Sequence, residues 1–172
     1  CHLDPAAELP CLMAAYDAML TAQGPDGVRE IPFIEWPKAY MIPNLAPDEL
    51  LTKISFKYWS TNHGYGFVEF ARRHGDFAIV AVAAMLEIGD GKINRAAISI
   101  GGANIRPVRL VDAEEALLGK LANEDTYKIA ADIAQGIESM SDAYVTSQYR
   151  QRLAGTLVQR ALVKAGDRAN RS

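Results

Sequence analysis

Residues 77–100 read "FAIVAVAAMLEIGDGKINRAAISI" and open with the longest apolar run of the chain, Phe77 to Leu86. From Phe77 to Ile88, apolar side chains occupy both alternating faces, which is typical of a strand covered on both sides. Gly89-Asp90-Gly91 has the composition of a hairpin turn, and Lys92 to Ile100 predicts the return strand. We therefore expect the chain to be built around a buried antiparallel hairpin.

The residues after this hairpin predict one more strand and then helices. Val108 to Leu110 is a candidate for a third short strand, and Asp112 with Glu115 has capping-box spacing before an apolar segment. Three helices are predicted: one beginning at Asp112, one from Thr126 to Ile137, and one from Val145 to Lys164. Strands followed by helices indicate the α+β class, here a three-stranded antiparallel sheet packed on about three helices.

The residues before the hairpin differ in composition. Seven of the eight prolines fall between Pro5 and Pro47, so this part is interrupted by turns. Asp4-Pro5 resembles a helix start, with Asp4 as the N-cap. Residues 18–33, "AMLTAQGPDGVREIPF", predict strand, tight turn and strand, and Leu50 to Phe56 predicts another strand. We expect a polar boundary near residues 58–64 and two domains, 1–58 and 59–172.

The composition excludes several classes of function. With a net charge of -3 and a pI near 5.6, the chain lacks the basic surface that nucleic acid requires. The ten residues from Phe77 to Leu86 are too few to span a bilayer. Two cysteines form no disulfide framework and no zinc or iron–sulfur ligand set. A cytoplasmic location is the simplest expectation.

Several polar clusters are candidate sites, but each has a simpler interpretation. Arg72-Arg73-His74 could bind an anion, yet positive charge before Gly75 is typical of a solvated helix C-terminus. Gly101-Gly102-Ala103-Asn104 lacks the spacing of a phosphate-binding loop and is expected to be a turn. The three histidines lack metal-ligand spacing. Glu114-Glu115 and Glu124-Asp125 are expected to be solvated helix starts.

The first residue, Cys1, allows three interpretations. It could be the nucleophile of a self-processed amidohydrolase, the acylated first residue of a lipoprotein, or a break point in a longer protein. As a nucleophile it needs its own amine as the base and an oxyanion hole, and no oxyanion hole can be located. His2 and Asp4 lie too close in sequence to form a triad with it. We therefore expect a break point.

Several segments carry a resemblance to a known family. They are "DPAAELP" (4–10), the Gly24-Pro25-Asp26-Gly27 turn, "NLAPDELL" (44–51), "GFVEFARRHGDFAIVAVAA" (66–84), "ISIGGANIRPVRLVDAEEALLG" (98–119) and "QYRQRLAGTLVQRALVKA" (148–165). In this order they resemble the later half of FAD-binding medium (flavoprotein) subunits of molybdenum hydroxylases, most of all the carbon monoxide dehydrogenase type. The resemblance implies the second half of a PCMH-type FAD-binding α/β lobe followed by the family's C-terminal domain. It also implies that the chain is the C-terminal part of such a subunit.

By this resemblance, five residues are expected to contact FAD. Glu8 matches an acidic residue that binds ribityl or ribose hydroxyls, and His2 and Asp4 are expected to line the same wall. Either Leu45 or Leu50 matches an apolar residue against the flavin. The chain departs from the family at Val68-Glu69, where many relatives have a lysine, so a cationic contact there is not expected.

The resemblance further implies electron transfer. A large subunit would hold the molybdenum cofactor, and a small subunit would hold [2Fe-2S] clusters. FAD on this subunit would pass electrons to an external acceptor, which fits the absence of an acid–base constellation. The N-terminal part of the same flavoprotein is a further expected partner. The alternative is a non-catalytic docking or assembly domain that has lost flavin.

Overall fold

A computed structural model describes residues 3–170 and confirms the α+β class. The N-terminal part (3–58) contains α1 (Glu8–Ala15), β1 (Met19–Gly24), β2 (Gly27–Pro32), a 3₁₀ helix (Phe33–Glu35), β3 (Pro37–Ala39), β4 (Ile42–Pro43) and β5 (Leu50–Ser55). The C-terminal part (59–170) contains β6 (Gly64–Phe70), β7 (Val80–Gly89), β8 (Lys92–Gly101), β9 (Val108–Arg109), α2 (Val111–Leu117), α3 (Glu124–Ala134) and α4 (Ser147–Ala169).

The predicted central hairpin is confirmed. Strands β7 and β8 pair antiparallel, with Val82 opposite Ile100 and Ala84 opposite Ile98. Asp90 and Gly91 form the turn with φ of 51° and 73°, a left-handed conformation that suits the two central residues of a tight hairpin. Because residues 80–86 and 96–101 are all buried, the hairpin has no solvent-facing side along most of its length.

Two layers cover the sheet of the C-terminal part. Helices α2, α3 and α4 pack on one face, and their apolar side chains form the largest core together with those of β7 and β8. The short helix α1 crosses the other face, where Cys11 and Ala15 contact Ala83, Met85 and Ala97. The N-terminal part therefore closes the core of the C-terminal part.

This sheet has four strands, in the order β6-β7-β8-β9, and not the predicted three. The additional strand is β6, and the expected helix C-terminus at Arg72-Arg73-His74 is wrong. These residues lie in the connection between β6 and β7, where the Asp76 amide donates to the Arg73 carbonyl at 3.2 Å. Gly75 has a φ of 87°, a left-handed conformation that glycine adopts more readily than other residues. The same preference holds at a helix end, so the glycine alone did not distinguish a turn from a helix end.

The N-terminal part has its own sheet, in the order β2-β1-β5. The predicted strand–turn–strand and the strand from Leu50 are confirmed. The inner face of this sheet packs around Leu20, Ile31 and Trp36. Asp4 does not cap α1, which begins at Glu8; its carboxylate accepts from the Ala6 amide at 2.8 Å in a turn before the helix.

The three later helices begin differently from the prediction. α2 begins at Val111 without a side-chain cap, so Asp112 lies inside its first turn. Side chains cap the other two: Asn123 accepts from Thr126 N, and Thr146 accepts from Tyr149 N. Within residues 3–170, no helix combines the length and apolar character needed to cross a membrane.

Candidate functional site

A cavity of about 270 Å³ opens where the N-terminal part meets the end of the C-terminal sheet. The N-terminal part contributes Asp4, Pro5, Ala6 and Tyr40 to its lining. The C-terminal part contributes Arg72, Phe77, Ala78, Ile79, Gly102, Met140, Asp142, Tyr144, Val145 and Arg150. Because both parts build it, the cavity depends on their contact.

A glycine fixes the N-terminal wall of this cavity. The Gly102 amide donates to the Pro5 carbonyl at 2.7 Å, which attaches the segment before α1 to the end of β8. Gly102 has φ of 78°, and a Cβ there would lie 2.8 Å from the Ile79 carbonyl oxygen. The chain therefore turns at Gly102, directly after the last residue of β8, and this turn anchors Asp4 beside the cavity, which agrees with the turn predicted from the sequence.

A buried arginine forms the floor. The Arg150 Nη1 donates to the Ile79 carbonyl at 2.7 Å and to the Gly102 carbonyl at 2.8 Å, and Nη2 donates to Asp142. Backbone amides of Tyr144 and Val145 bind the Asp142 carboxylate, and with Arg150 they hold its pKa below the ordinary value. This network fixes the loop that carries Tyr144 against the sheet.

Three exposed aromatic side chains surround the opening. Tyr40 is 52% exposed, Phe77 68% and Tyr144 77%. The Arg72 guanidinium lies 4.4 Å from the centroid of the Tyr144 ring, a cation–π contact. Aromatic faces beside a cation suit a planar ring with polar edges, since the ring can stack while the cation meets an electron-rich edge.

Of the five residues predicted to contact FAD, the structure describes four, and it separates the two carboxylates from the two leucines. His2 lies outside the described residues. Asp4 lines the cavity, and Glu8 is exposed at the first position of α1, four residues away. Neither carboxylate forms an ion pair with any of residues 3–170. Asp4 Oδ1 accepts from the Ala6 amide, which leaves Asp4 Oδ2 and the Glu8 carboxylate for a ligand.

The two candidate leucines lie away from the cavity. Leu45 packs against the apolar cluster of the N-terminal part that contains Leu3. Leu50 is 73% exposed at the start of β5, where it pairs with Gln23. Leu50 thus offers free apolar surface, whereas part of the Leu45 side chain already packs against protein.

One acidic prediction is wrong. Glu114, expected to be a solvated helix start, is buried and accepts from the Ile98 amide at 2.7 Å and from Arg109. Burial raises its pKa above the ordinary value, and the hydrogen bonds from Arg109 and Ile98 only partly oppose this. Glu114 belongs to the contact between the two parts of the chain and lies outside the cavity lining.

No sequence pattern marked Tyr40, Phe77 or Tyr144 as site residues, because only the folded chain shows that they are exposed around one opening. Over residues 3–170, no three His, Cys, Asp or Glu side chains are grouped so that they could hold a metal ion. The side chains around the opening are carboxylates, aromatic rings and guanidinium groups, which can hold a ligand by hydrogen bonds and stacking.

Comparison with known proteins identifies the family. Residues 65–165 match the model of the CO dehydrogenase flavoprotein C-terminal domain, which is more than half of the chain. The chain belongs to this flavoprotein family. Residues 1–59 match a second model, the FAD binding domain in molybdopterin dehydrogenase. The family resemblance noted in the sequence is thereby confirmed.

Similarity to individual proteins supports the same family assignment. The chain is 35% identical to 6-hydroxypseudooxynicotine dehydrogenase complex subunit alpha of Paenarthrobacter nicotinovorans, over 98% of the chain and 57% of the relative. It is 29% identical to the carbon monoxide dehydrogenase medium chain of Afipia carboxidovorans, over 96% and 58%. The chain thus spans less than three-fifths of the length of these relatives.

Solved structures in the same flavoprotein family have the same fold. Quinoline 2-oxidoreductase from Pseudomonas putida superimposes with a TM-score of 0.91 at 32% identity, covering 98% of this chain and 59% of that chain. Reconstituted CO dehydrogenase from Oligotropha carboxidovorans gives a TM-score of 0.92 at 28% identity, covering 97% and 59%. Nearly the whole chain therefore has counterparts of known structure.

Proposed function

We propose that this chain is part of the FAD-binding subunit of a molybdenum-containing hydroxylase. In this proposal FAD receives electrons from iron–sulfur clusters of a small partner subunit and passes them to an external acceptor. Substrate oxidation takes place on a large molybdenum-binding subunit. The observation that carries the proposal is the agreement of nearly the whole chain, in sequence and in structure, with flavoprotein subunits of such enzymes.

The residues of the cavity fit a flavin. Its aromatic rim of Tyr40, Phe77 and Tyr144 suits a planar ring system, and Asp4 in the lining can accept hydrogen bonds from ribityl or ribose hydroxyls. Glu8 lies outside the lining, but its exposed carboxylate at the start of α1 can accept bonds of the same kind. When bound, FAD supplies the exchange between two-electron and one-electron transfer. The task of this chain is to bind and orient that group. Of the two candidate leucines, both of which lie outside the cavity lining, Leu50 is the proposed apolar contact because its side chain is exposed, and it would meet a part of FAD that extends beyond the cavity.

The proposal also includes a domain boundary, partner subunits and a cellular location. We place the domain boundary between residues 58 and 59, where the chain passes from the sheet β2-β1-β5 to the sheet β6-β7-β8-β9. The large and small subunits and the N-terminal part of the flavoprotein are the proposed partners. A cytoplasmic location, without nucleic acid as a partner, fits the acidic charge and the two cysteines.

The first test is the visible absorption spectrum of the natively isolated material with its partners retained. Flavin bands together with an iron–sulfur shoulder support the proposal. A colourless preparation, with the partners present on a denaturing gel, would contradict the flavin role and leave the docking function. The spectrum therefore separates the two functions without a mutation.

A substitution of Glu8 tests the proposed contact between its carboxylate and FAD. We expect Glu8→Ala to lower the FAD content of the assembled complex, because the variant loses a carboxylate that can accept two hydrogen bonds from hydroxyls. The measurement is the flavin-to-protein ratio after gel filtration. Glu115→Ala is the matched control, since Glu115 is an exposed helical glutamate on α2, a helix that contributes no residue to the cavity lining. Equal flavin content in Glu8→Ala and wild type would remove Glu8 from the site.

A further inference from the structure

A groove with a volume of about 440 Å³ lies between the beginning of α4 and the connection from β6 to β7. The end of β6 and this connection contribute Phe70 and Arg72, and the first two turns of α4 contribute Tyr149 and Arg152. We call this surface the basic groove. It borders the proposed flavin site because Arg72 and Tyr144 line both, whereas Phe70, Tyr149 and Arg152 do not line the flavin cavity.

The positive charge of the basic groove is not neutralised by the described part of the chain. A helix C-terminus would account for Arg72 and Arg73, but the structure places them between two strands. The side chains of Arg72, Arg73 and Arg152 are exposed, and none forms a hydrogen bond or an ion pair with residues 3–170. Even Glu69 and Asp76, in the same stretch of chain, leave them unpaired, and no residue lining the groove is acidic. Because the chain as a whole has a net charge of -3, this local positive surface favours an acidic ligand.

Aromatic side chains accompany these cations. Phe70, Tyr144 and Tyr149 are exposed around the groove, and the Arg72 guanidinium lies over the Tyr144 ring. Within residues 3–170, neither tyrosine hydroxyl forms a hydrogen bond. Arginine and aromatic residues are enriched in protein–protein interfaces, where tyrosine and arginine contribute much of the binding energy. The composition therefore favours a protein partner, and the negative charge of the whole chain disfavours nucleic acid.

The walls of the basic groove are held in place without a ligand. The Ile79 amide donates to the Phe70 carbonyl at 2.7 Å, which fixes the two ends of the β6–β7 connection. Arg150 Nη1, from α4, donates to the Ile79 carbonyl at 2.7 Å and joins the two walls. Thr146 Oγ1 caps α4 by accepting from the Tyr149 amide at 3.2 Å. A surface fixed in advance loses little conformational entropy when a partner binds.

We propose that the basic groove binds an acidic segment of a partner protein that carries an aromatic side chain. The carboxylates of this segment would pair with Arg72 and Arg152, since a guanidinium can bind a carboxylate through two parallel hydrogen bonds. The aromatic side chain would pack against Phe70 and Tyr149. This inference goes beyond the proposed function, because it assigns a docking surface beside the flavin cavity and holds whether or not flavin is bound.

The test is fluorescence anisotropy of a labelled peptide, Glu-Glu-Trp-Glu-Glu, titrated with this chain. We expect saturable binding that weakens as the ionic strength rises from about 0.01 M to about 0.15 M, because salt screens exposed charges. The peptide Glu-Glu-Gly-Glu-Glu should bind at least about threefold more weakly, since it lacks the aromatic contact. Binding of Lys-Lys-Trp-Lys-Lys as tight as that of the acidic peptide would overturn the proposal, because charge complementarity would then play no part.

Variants locate the binding site on the chain. Tyr149→Ala/Arg152→Gln should weaken binding of Glu-Glu-Trp-Glu-Glu at least about tenfold, because it removes one aromatic and one charged contact. The matched control is Arg160→Gln/Lys164→Gln, which removes two exposed cations from a later part of α4 and should leave binding unchanged. If the double variant loses the wild-type circular dichroism spectrum, Arg152→Gln alone takes its place and should weaken binding at least about threefold.

Two further results would overturn the proposal. One is the absence of saturable peptide binding to wild type, or equal binding by the folded Tyr149→Ala/Arg152→Gln or Arg152→Gln variant. The other is tighter binding of an oligothymidylate than of the acidic peptide, which would assign the groove to nucleic acid. The assay contains no flavin, and Tyr149 and Arg152 lie outside the lining of the flavin cavity. The flavin spectrum of the native complex therefore tests the proposed function separately.

Discussion

At the scale of single residues, Cys11 shows how burial determines the reactivity of a thiol. Its Sγ is fully buried between α1 and the sheet, 3.5 Å from the Ser99 carbonyl oxygen and 3.7 Å from Ser99 Oγ. Burial raises the pKa of this thiol to about 11, although hydrogen bonds partly oppose the shift. Because the thiolate is the reactive form, Cys11 is expected to act as a small apolar side chain in the core.

This predicts slow modification of Cys11 in the native chain. In a Cys1→Ser variant, Cys11 is the remaining cysteine. At pH 8 a thiol-reactive disulfide should react with Cys11 at least about a hundredfold more slowly than with a free thiol, because so little of Cys11 is in the thiolate form. The rate should rise with pH up to about 11. The same chain in guanidinium chloride is the control and should react rapidly. A native rate equal to the unfolded rate would show that Cys11 is accessible.

At the scale of elements, strand β6 depends on two glycines. Gly64 and Gly66 lie against α4, and a Cβ on either would overlap the carbonyl oxygen of Ala165 or Ala161. Strand and helix backbones therefore touch along this edge of the sheet. This contact also explains why β6 was not predicted. Glycine disfavours strands on local grounds, and the reason for its presence lies on a helix about a hundred residues later in the chain.

The contact predicts that Gly66→Ala is destabilising. The added methyl group cannot fit without moving α4 from the sheet, so we expect the free energy of unfolding to fall by about 1–3 kcal/mol. Denaturant unfolding followed by circular dichroism measures it. Gly136→Ala is the matched control, since Gly136 is exposed and its nearest neighbour is the Ile133 carbonyl oxygen at 3.3 Å. Equal loss in the two variants would show that the contact between β6 and α4 does not account for the effect.

At the scale of the whole molecule, the sequence predicted the elements better than their junction. The central hairpin, the first strand pair and the last helix could be predicted because their patterns are local. The cavity could not, because Asp4, Tyr40 and Tyr144 meet only when the two parts pack. Glu114 was predicted to be exposed to solvent for the same reason. Its hydrogen-bond partner Arg109 can be recognised only from the fold.

Arg109 is the clearest polar link between the two parts. From the C-terminal part, its Nη1 donates to the Ala14 carbonyl at 3.0 Å and to Asp17 Oδ1 at 2.8 Å, both in the N-terminal part. Its Nε and Nη2 donate to Glu114. One guanidinium therefore joins the end of α1 to the start of α2. Its loss would leave a buried carboxylate without a cation, which is strongly destabilising.

We expect Arg109→Met to lower the free energy of unfolding at pH 7 by about 3 kcal/mol, because Glu114 must then be buried as an unpaired charge or take up a proton. Since burial already raises the pKa of Glu114, and the variant loses the opposing effect of Arg109, the folded state will bind a proton more tightly than the unfolded chain. The deficit should therefore shrink as the pH falls from 7 towards 5. Arg109→Met/Glu114→Gln, which has no buried charge at this position, is the control and should lose less stability, with little dependence on pH. A deficit in Arg109→Met that is the same at pH 5 and pH 7 would show that lost contacts with Ala14 and Asp17, rather than the charge of Glu114, account for the effect.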